Sequence, residues 1–396
     1  MQRYDGRDLG ASPHIAILGS CKLGNFIVTI PMLRILRNKY PGAVIDFWGS
    51  EITKDFELAL CGKNQPLDWR KSWDKKYSEI KEIFNSFTDR TRRYSNYDLL
   101  INCDGFNPFT QALSCLFKPK YLAGAGLRED GRSLLEWGLL PNQRFLADKD
   151  WDSIEFIKRY SEFFKSNYIA ELLCRMVFLN PSADDLALID LPWEEPGFDV
   201  PEILIHCTTA RSAKIWPFDN WREVLAFCQT EQIKVGLIGA SPQIQASEYH
   251  SQGGEDSLIK NFPSILTDLR GKTNLIQLAG ACKLARGTIS VDAGPMHVSA
   301  GVGSKTLAIV GNDKHGDGVS PIRLWLPRTK FCERTISDYS TTSFADNNYR
   351  NDNLMIAKKC MNGVPPSQII DWIKSLLGSS INQNSKSALI LQFFQQ

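Results

Sequence analysis

Residues 14–50 read HIAILGSCKLGNFIVTIPMLRILRNKYPGAVIDFWGS, and no other stretch says more about the fold. The first segment, HIAILGS, is a short apolar run typical of a strand that is buried on both faces. A glycine-containing turn follows, and apolar side chains then recur at helical spacing at Ile30, Leu33 and Leu36. A Pro-Gly pair ends this helix before a second apolar run, AVIDFWGS. The order strand, turn, helix, strand predicts an α/β fold with a parallel sheet.

Similar elements continue along the rest of the chain. Another apolar run, YDLLINC at 97–103, precedes a predicted helix that starts at Pro108. Residues 69–93, before this run, are predicted as a mixed helical stretch. Beyond residue 201, strands and helices alternate again in EILIHC, NWREVLAFCQTEQ, KVGLIGA, NLIQLAGACKLA, GTISVDAG, MHVSAGVG and KTLAIVG, and a last helix follows in PPSQIIDWIKSLLG. The sequence therefore predicts two doubly wound parallel sheets.

The length of 396 residues also favours two domains, because a single hydrophobic core rarely grows to this size. The segment 188–201, LIDLPWEEPGFDVP, has three prolines and no helical or strand periodicity, so we interpret it as a linker. We therefore predict an N-terminal Rossmann-like domain at 1–187 and a C-terminal Rossmann-like domain at 202–378. Residues 379–396 form a polar tail.

Composition excludes several classes of protein. The formal charge of +2, from 46 basic and 44 acidic residues, lacks the positive field of a nucleic-acid binder. Ten cysteines without a C-x-x-C pair argue against a structural zinc site and suit a reducing compartment. The N-terminus lacks the apolar stretch of a signal peptide, and no run reaches the roughly 18 apolar residues of a membrane-spanning helix. We therefore expect a cytoplasmic protein.

Ligands of open parallel sheets bind outside the carboxyl ends of the strands, so residues directly after each apolar run are candidates. GSCKLGN at 19–25 is a glycine turn, but its glycine spacing is not the GxGxxG fingerprint of a dehydrogenase. A tight strand-to-helix turn explains it equally well. Asp104, after the run at 97–103, is expected to face the cleft between the domains or, alternatively, to be a simple turn residue.

Two further segments suggest an anion site in the second half. In HCTTARSAKIWP, the hydroxyls of Thr208 and Thr209 and the cation of Lys214 follow a buried strand and can hold a diphosphate. In SVDAGPMHVSAGVG, Asp292 ends a strand and His297 lies in the start of a helix, whose N–H groups attract anions. The alternatives are a turn cap with a solvated lysine, and an N-cap aspartate with a core histidine.

Three separated segments resemble the heptosyltransferase family of lipopolysaccharide inner-core synthesis. Residues 14–47 resemble its opening strand, Leu-Gly-Asp turn and Pro-containing helix. Residues 205–225 resemble its donor-phosphate loop with Lys-x-Trp-Pro, and residues 268–311 its long motif with an Asp-x-Gly-x-x-His turn. These segments stand in the family's order and cover both predicted domains.

The resemblance implies a GT-B architecture, in which two Rossmann-like domains face a central cleft. The domain at 1–187 would hold the acceptor, and the domain at 202–378 would bind the nucleotide sugar. It also implies inverting transfer of a sugar from a nucleotide sugar, ADP-heptose by default, to a cell-envelope glycan or lipopolysaccharide-type acceptor, without a metal or another cofactor. The donor would be contacted by Thr208, Thr209, Lys214, Asp292, Gly294 and His297. Lys214 and His297 would neutralise the charge that develops on the departing diphosphate.

The chain departs from the family at its catalytic base. The aspartate of the Leu-Gly-Asp turn is replaced by Asn25, whose neutral amide has no useful basicity near pH 7. Three explanations stay open: Asn25 orients the acceptor while Asp104 is the base, transfer proceeds without a base, or the protein only binds nucleotide sugars. A sugar-nucleotide epimerase on a similar scaffold would need cleft acids and bases that the sequence does not identify.

The stretch 69–93 concentrates basic side chains where the family receives an acidic, lipid-linked sugar. They are Arg70, Lys71, Lys75, Lys76, Lys81, Arg90, Arg92 and Arg93. One interpretation is recognition of an anionic acceptor, and another is a solvated helix face with interspersed acids. A basic patch of this kind also allows peripheral contact with the anionic leaflet of the inner membrane.

Overall fold

The computed structural model of the chain describes residues 1–74, 80–151, 154–248, 253–311, 322–337 and 354–378. Within these ranges the chain forms two six-stranded sheets in which every pair of neighbouring strands is parallel. From β2 onward, helices join the consecutive strands, as parallel sheets require. The predicted α/β fold class with two Rossmann-like sheets is therefore confirmed.

The strands of the first sheet all precede residue 124, and those of the second follow residue 202. They are β1 Gln2–Arg3, β2 His14–Leu18, β3 Val44–Gly49, β4 Trp69–Ser72, β5 Leu99–Asn102, β6 Tyr121–Ala123, β7 Ile203–His206, β8 Val235–Leu237, β9 Leu266–Asp268, β10 Gly287–Val291, β11 Thr306–Ile309 and β12 Cys332–Thr335. The spatial order is β1-β6-β5-β2-β3-β4 in the first sheet and β12-β11-β10-β7-β8-β9 in the second. Chain order reverses at β2 in one sheet and at β7 in the other, and ligands of such sheets bind at these reversal points.

Helices flank both sheets. They are α1 Leu23–Ile27, α2 Ile30–Lys39, α3 Lys54–Ala59, α4 Ile80–Tyr94, α5 Pro108–Phe117, α6 Pro141–Arg144, α7 Ile154–Arg159, α8 Ile169–Met176, α9 Ala183–Ala187, α10 Phe218–Thr230, α11 Pro242–Glu248, α12 Gly254–Asn261, α13 Leu275–Leu284, α14 Gly294–Gly301, α15 Ile322–Trp325, α16 Leu354–Asn362 and α17 at 366–378. Short 3-10 turns occupy Phe145–Ala147 and Ser212–Lys214. No helix in the described ranges is long and apolar enough to cross a bilayer.

Both faces of the first sheet are covered, which explains the uninterrupted apolar run of β2. Successive side chains of a strand point to opposite faces. Ile15 and Ile17 accordingly join one hydrophobic cluster, while Ala16 and Leu18 join another on the opposite face. The first of these clusters also contains Val298 of α14, so the two halves of the chain share part of their core.

The segment 188–201, which we interpret as a linker, contains neither helix nor strand. It runs between the halves: Leu191 N donates to Gly301 O of α14 at 3.0 Å, and Arg34 Nη2 of α2 donates to Ile189 O at 2.9 Å. The predicted domain boundaries stay predictions, and the tail at 379–396 lies outside the described residues.

Two local predictions were wrong. Residues Trp69–Ser72, predicted as part of a mixed helical stretch, form the edge strand β4, which pairs with β3 because the chain there has a free sheet edge to extend. The single helix predicted after the glycine turn is two helices, α1 and α2. The break falls before Pro31, which has no N–H to donate to the carbonyl of Ile27 and whose ring clashes with the preceding turn.

Candidate active site

The segments that carry Asn25 and Asp104 follow neighbouring strands of the first sheet, at the carboxyl ends of those strands. Leu18 of β2 pairs with Asn102 of β5, and Cys103 N donates to Leu18 O at 2.9 Å, so the two strands end at the same level. Asn25 lies in α1, where its Nδ2 donates to Ser20 Oγ at 3.0 Å. Asp104 and Asn25 thus follow adjacent strands, β5 and β2.

Asp104 is half-buried in the turn between β5 and α5. Burial raises the pKa of its carboxyl group above the ordinary value, although the hydrogen bond from Asn107 and the positive charge of Lys22 lower it. Asn107 Nδ2 donates to Asp104 Oδ2 at 3.1 Å. A carboxylate with a raised pKa accepts a proton more readily than an ordinary aspartate, so this environment suits a general base.

Lys214 and Asp292 form an ion pair in the second half of the chain. Lys214 lies in the loop after β7 and Asp292 directly after β10, and these strands are neighbours with Ser290 opposite His206. Both side chains are largely buried, at 15% and 9% exposure. The structure therefore brings together two candidate donor residues that are 78 positions apart in the sequence.

Both threonines of the donor loop are buried. Thr209 is 8% exposed, and Thr208 is fully buried. The Thr208 hydroxyl has no hydrogen-bond partner in the described part of the chain. Burial raises the pKa of the nearby Glu255 carboxyl above its ordinary value, although Arg270 and the Thr208 hydroxyl act to lower it. Thr208 is therefore turned toward the interior, and its predicted contact with a donor stays a prediction.

His297 lies in the first turns of α14, close to the Lys214 and Asp292 pair. The helix has Ala293 as its N-cap residue, so the alternative in which Asp292 merely caps α14 is wrong. Burial lowers the pKa of His297 to about 4, and the charges of Asp292 and Lys214 act on it in opposite directions. With this pKa His297 is uncharged near pH 7 and can donate a hydrogen bond, and its predicted contact with a donor stays a prediction.

The two halves of the chain meet where α1 approaches α14. An ideal Cβ atom placed on Gly24 lies 2.9 Å from His297 Cδ2, and one placed on Gly294 lies 2.9 Å from Leu23 Cδ2. Real Cβ atoms do not come so close to other atoms, so these glycines permit the approach. Helix α1, which carries Asn25, consequently lies beside His297.

Three buried polar residues near the donor loop were not predicted from the sequence. Burial lowers the pKa of His206 to about 4, and His206 Nδ1 has no hydrogen-bond partner in the described part of the chain. Neither side-chain amide atom of Gln245 has one there either. The third is Glu255. His206 ends an apolar run, and this position could have marked it as a site residue from the sequence. Gln245 and Glu255 lie in α11 and α12 and approach the loop after β7 only because the chain folds.

The basic stretch at 69–93 is only partly available to an acceptor. Arg70 is buried against Glu57, and Arg90 donates to both carboxylate oxygens of the buried Asp46. Lys71 pairs with Glu82 at 3.1 Å. Lys81, Arg92 and Arg93 are exposed, and Lys75 and Lys76 lie outside the described residues. The interpretation as one basic acceptor patch is therefore wrong for Arg70 and Arg90, because their guanidinium groups pair with the buried carboxylates of Glu57 and Asp46.

Among the residues that the structure describes, no three His, Cys, Asp or Glu side chains are grouped so that they could hold a metal ion. The ammonium group of Lys214 pairs with Asp292. This ammonium group and the N–H groups at the start of α14 are groups that the site offers to an anion.

Comparisons with known proteins identify the family and the fold of the chain. A family model described as glycosyltransferase family 9 (heptosyltransferase) matches residues 93–323, more than half of the chain. No curated protein sequence matches the chain. The predicted resemblance to heptosyltransferases is therefore confirmed through the family model.

Solved structures show the same fold. The glycosyl transferase family 9 from Veillonella parvula DSM 2008 is 16% identical, with a TM-score of 0.64, over 93% of this chain and 97% of that one. The E. coli ADP-heptose lps heptosyltransferase II is 15% identical, with a TM-score of 0.62, over 93% and 99%. E. coli heptosyltransferase WaaC with ADP-2-deoxy-2-fluoro heptose is 15% identical, with a TM-score of 0.52, over 91% and 99%. These likenesses support the GT-B arrangement of two Rossmann-like domains.

Proposed function

The chain belongs to glycosyltransferase family 9, the heptosyltransferases, and from this we propose that it transfers a sugar from a nucleotide sugar to a glycan acceptor. The donor we propose is ADP-heptose, the family's default, and the acceptor is a lipopolysaccharide-type or other cell-envelope glycan. Transfer inverts the anomeric carbon and uses neither a metal nor another cofactor. The protein works in the cytoplasm, in peripheral contact with the inner membrane.

The observation that carries this proposal is the Lys214 and Asp292 ion pair beside His297. Asp292 holds the ammonium group at the carboxyl edge of the sheet, where the diphosphate of a donor is expected. As the sugar leaves, negative charge grows on the diphosphate and is stabilised by Lys214, by a hydrogen bond from neutral His297 and by the backbone at Gly294. Thr208 and Thr209 complete the donor loop.

On the acceptor side we propose Asp104 as the general base. Its carboxylate takes the proton of the acceptor hydroxyl while that oxygen bonds to the anomeric carbon. The bond from the anomeric carbon to the diphosphate breaks on the opposite face, and its electron pair leaves with the diphosphate. Burial supports this role because it raises the pKa of Asp104. Asn25 orients the acceptor.

A second candidate function is a nucleotide-sugar-binding protein that has lost transfer. The observation in its favour is Asn25 itself, an amide at the family's base position whose Nδ2 is engaged with Ser20 Oγ. In this case Asp104 is a half-buried turn residue, and the donor residues keep their places.

The donor site is tested by calorimetric titration with a panel of nucleotide sugars that includes ADP-heptose. We expect Lys214→Ala and His297→Ala each to weaken donor binding by about 10- to 100-fold, the usual loss for hydrogen bonds to charged groups. Lys305→Ala is the matched control, because this exposed lysine precedes β11 at the opposite edge of the sheet. Failure of the wild type to bind any nucleotide sugar would overturn the donor assignment.

Turnover separates the two candidate functions. With ADP-heptose and lipopolysaccharide that lacks its outer sugars, Asp104→Asn is expected to lower kcat by about 10²- to 10⁴-fold, the range for loss of a general base. Donor affinity should not change, and the exposed Asp89→Asn serves as the control. If the wild type binds the donor without transferring the sugar, and Asn25→Asp gains transfer, the hypothesis of a nucleotide-sugar-binding protein is correct and the transferase proposal is wrong.

A further inference from the structure

Phe106 exposes 60% of its surface two residues beyond Asp104. Its ring stacks on that of Trp151, with centroids 5.3 Å apart and an interplanar angle of 27°. Trp151 in turn packs against the large hydrophobic cluster of the first domain. One face of the Phe106 ring is therefore covered by an anchored indole, and the exposed surface belongs to the other face and the edge.

The turn that presents Phe106 is held by its neighbours. Thr110 Oγ1 donates to Asp104 O at 2.8 Å, and Gln111 Nε2 donates to Gly105 O at 2.7 Å. Both donors lie on α5, so the turn is fixed to the first turns of a helix. The exposed ring of Phe106 is therefore carried by a turn that is bonded to α5.

We propose that the exposed face of Phe106, backed by Trp151, is a subsite of the acceptor that stacks against a sugar ring. The C–H groups on one face of a pyranose are apolar and slightly positive, and the face of an aromatic ring is negative, so the two surfaces attract each other. This inference rests on the proposed function, because it assigns the sugar to the acceptor of that reaction.

The position of the stacked pair favours a sugar over other occupants. Asp104 is two residues away and is a carboxylate whose proposed partner is a sugar hydroxyl. A sugar ring that lies on Phe106 therefore has hydroxyl groups within the neighbourhood of the proposed base. Insertion of Phe106 into an anionic membrane is disfavoured, because the same turn carries the negative charge of Asp104.

The test uses the full-length protein and the lipid-free core oligosaccharide of lipopolysaccharide, whose binding is measured by calorimetric titration. We expect Phe106→Ala to weaken oligosaccharide binding by about tenfold and Phe106→Trp to stay within about threefold of the wild type, because stacking needs an aromatic face. Phe84→Ala is the matched control, since Phe84 is a half-exposed phenylalanine on α4.

The stacking subsite is overturned if Phe106→Ala binds the oligosaccharide as well as the wild type does, or if the wild type does not bind it. ADP-heptose titrations of the same samples judge the proposed function separately. We expect equal donor affinity for the wild type and both Phe106 variants, since the ring lies on the acceptor side. Loss of donor affinity in Phe106→Ala would contradict an acceptor-only role.

Discussion

Gly24 of α1 lies against His297 of α14. It lies next to Asn25, and a Cβ atom at this position would meet the ring of His297. The histidine is buried and cannot easily move away. The absence of a side chain at Gly24 thus sets the distance between the two halves of the candidate active site.

We therefore expect Gly24→Ala to lower kcat/KM by about tenfold or more, since a displacement of about 1 Å at a reacting centre has large effects on rate. The added Cβ would lie 2.9 Å from Cδ2 and 3.1 Å from Nε2 of His297. Gly197→Ala is the control, because a Cβ there meets nothing within 4 Å. Steady-state kinetics of both variants decide the matter, and an unchanged rate in Gly24→Ala would contradict the close contact.

The carboxyl group of Asp104 is expected to make the rate of transfer depend on pH. Below its pKa the carboxyl group is protonated and cannot accept the proton of the acceptor hydroxyl. Because burial raises this pKa, we expect kcat to fall with decreasing pH at a midpoint above the ordinary aspartate value of about 3.9. The midpoint is obtained from kcat measured across a range of pH. The residual rate of Asp104→Asn should not show this fall in kcat with decreasing pH.

Among the elements, α13 connects the halves through its N-terminus. Its own cap is Asn274, whose Oδ1 accepts from Gln277 N at 2.8 Å. The other half of the chain adds Asp55, at the start of α3, whose Oδ2 accepts from Leu275 N at 3.2 Å. An anion at a helix N-terminus is favourable because of the helix dipole and the unpaired N–H groups there.

Asp55→Asn removes this charge and is expected to lower the free energy of unfolding by about 0.3–1 kcal/mol. Urea denaturation of the full-length protein measures the change. Asp371→Asn, in the exposed part of α17, is the control, since its contact with Lys374 is a surface ion pair of little energetic weight. Equal losses in both variants would show that the position of Asp55 at α13 has no special effect.

For the molecule as a whole, the buried histidines predict sensitivity to acid. Burial lowers the pKa of both His206 and His297 from 6.5 to about 4. As pH falls below 6.5 the unfolded chain binds protons at these positions, and the folded chain does not until about pH 4. The contribution of these two histidines to the free energy of unfolding is therefore fully present above pH 6.5 and is lost as the pH falls toward 4.

This decrease amounts to about 3 kcal/mol at most for each histidine, since one pKa unit corresponds to about 1.4 kcal/mol. Between pH 7.5 and pH 5 we expect His206→Gln to lose about 2 kcal/mol less stability than the wild type does. Urea denaturation at the two pH values tests this expectation. Identical losses in the two proteins would mean that His206 is not the titrating group.

The arrangement of strands and helices was largely predictable because it depends on local patterns. An apolar run such as HIAIL is buried in almost any parallel sheet, and the alternation of such runs with amphipathic helices indicates the two Rossmann-like domains. The positions of Asn25, Asp104, Lys214 and Asp292 after strands also follow from the sequence. The edge strand β4 was missed because WRKS has the polar character of a solvated segment.

Contacts between distant positions could not be predicted in this way. The pairing of Lys214 with Asp292, the approach of Gly24 to His297 and the stacking of Phe106 on Trp151 each join residues from separate elements. The lowered pKa of His297 likewise depends on burial that the packing of the two halves creates. Local patterns specify which segments form strands and helices, but side-chain distances and desolvation arise only when those elements pack together.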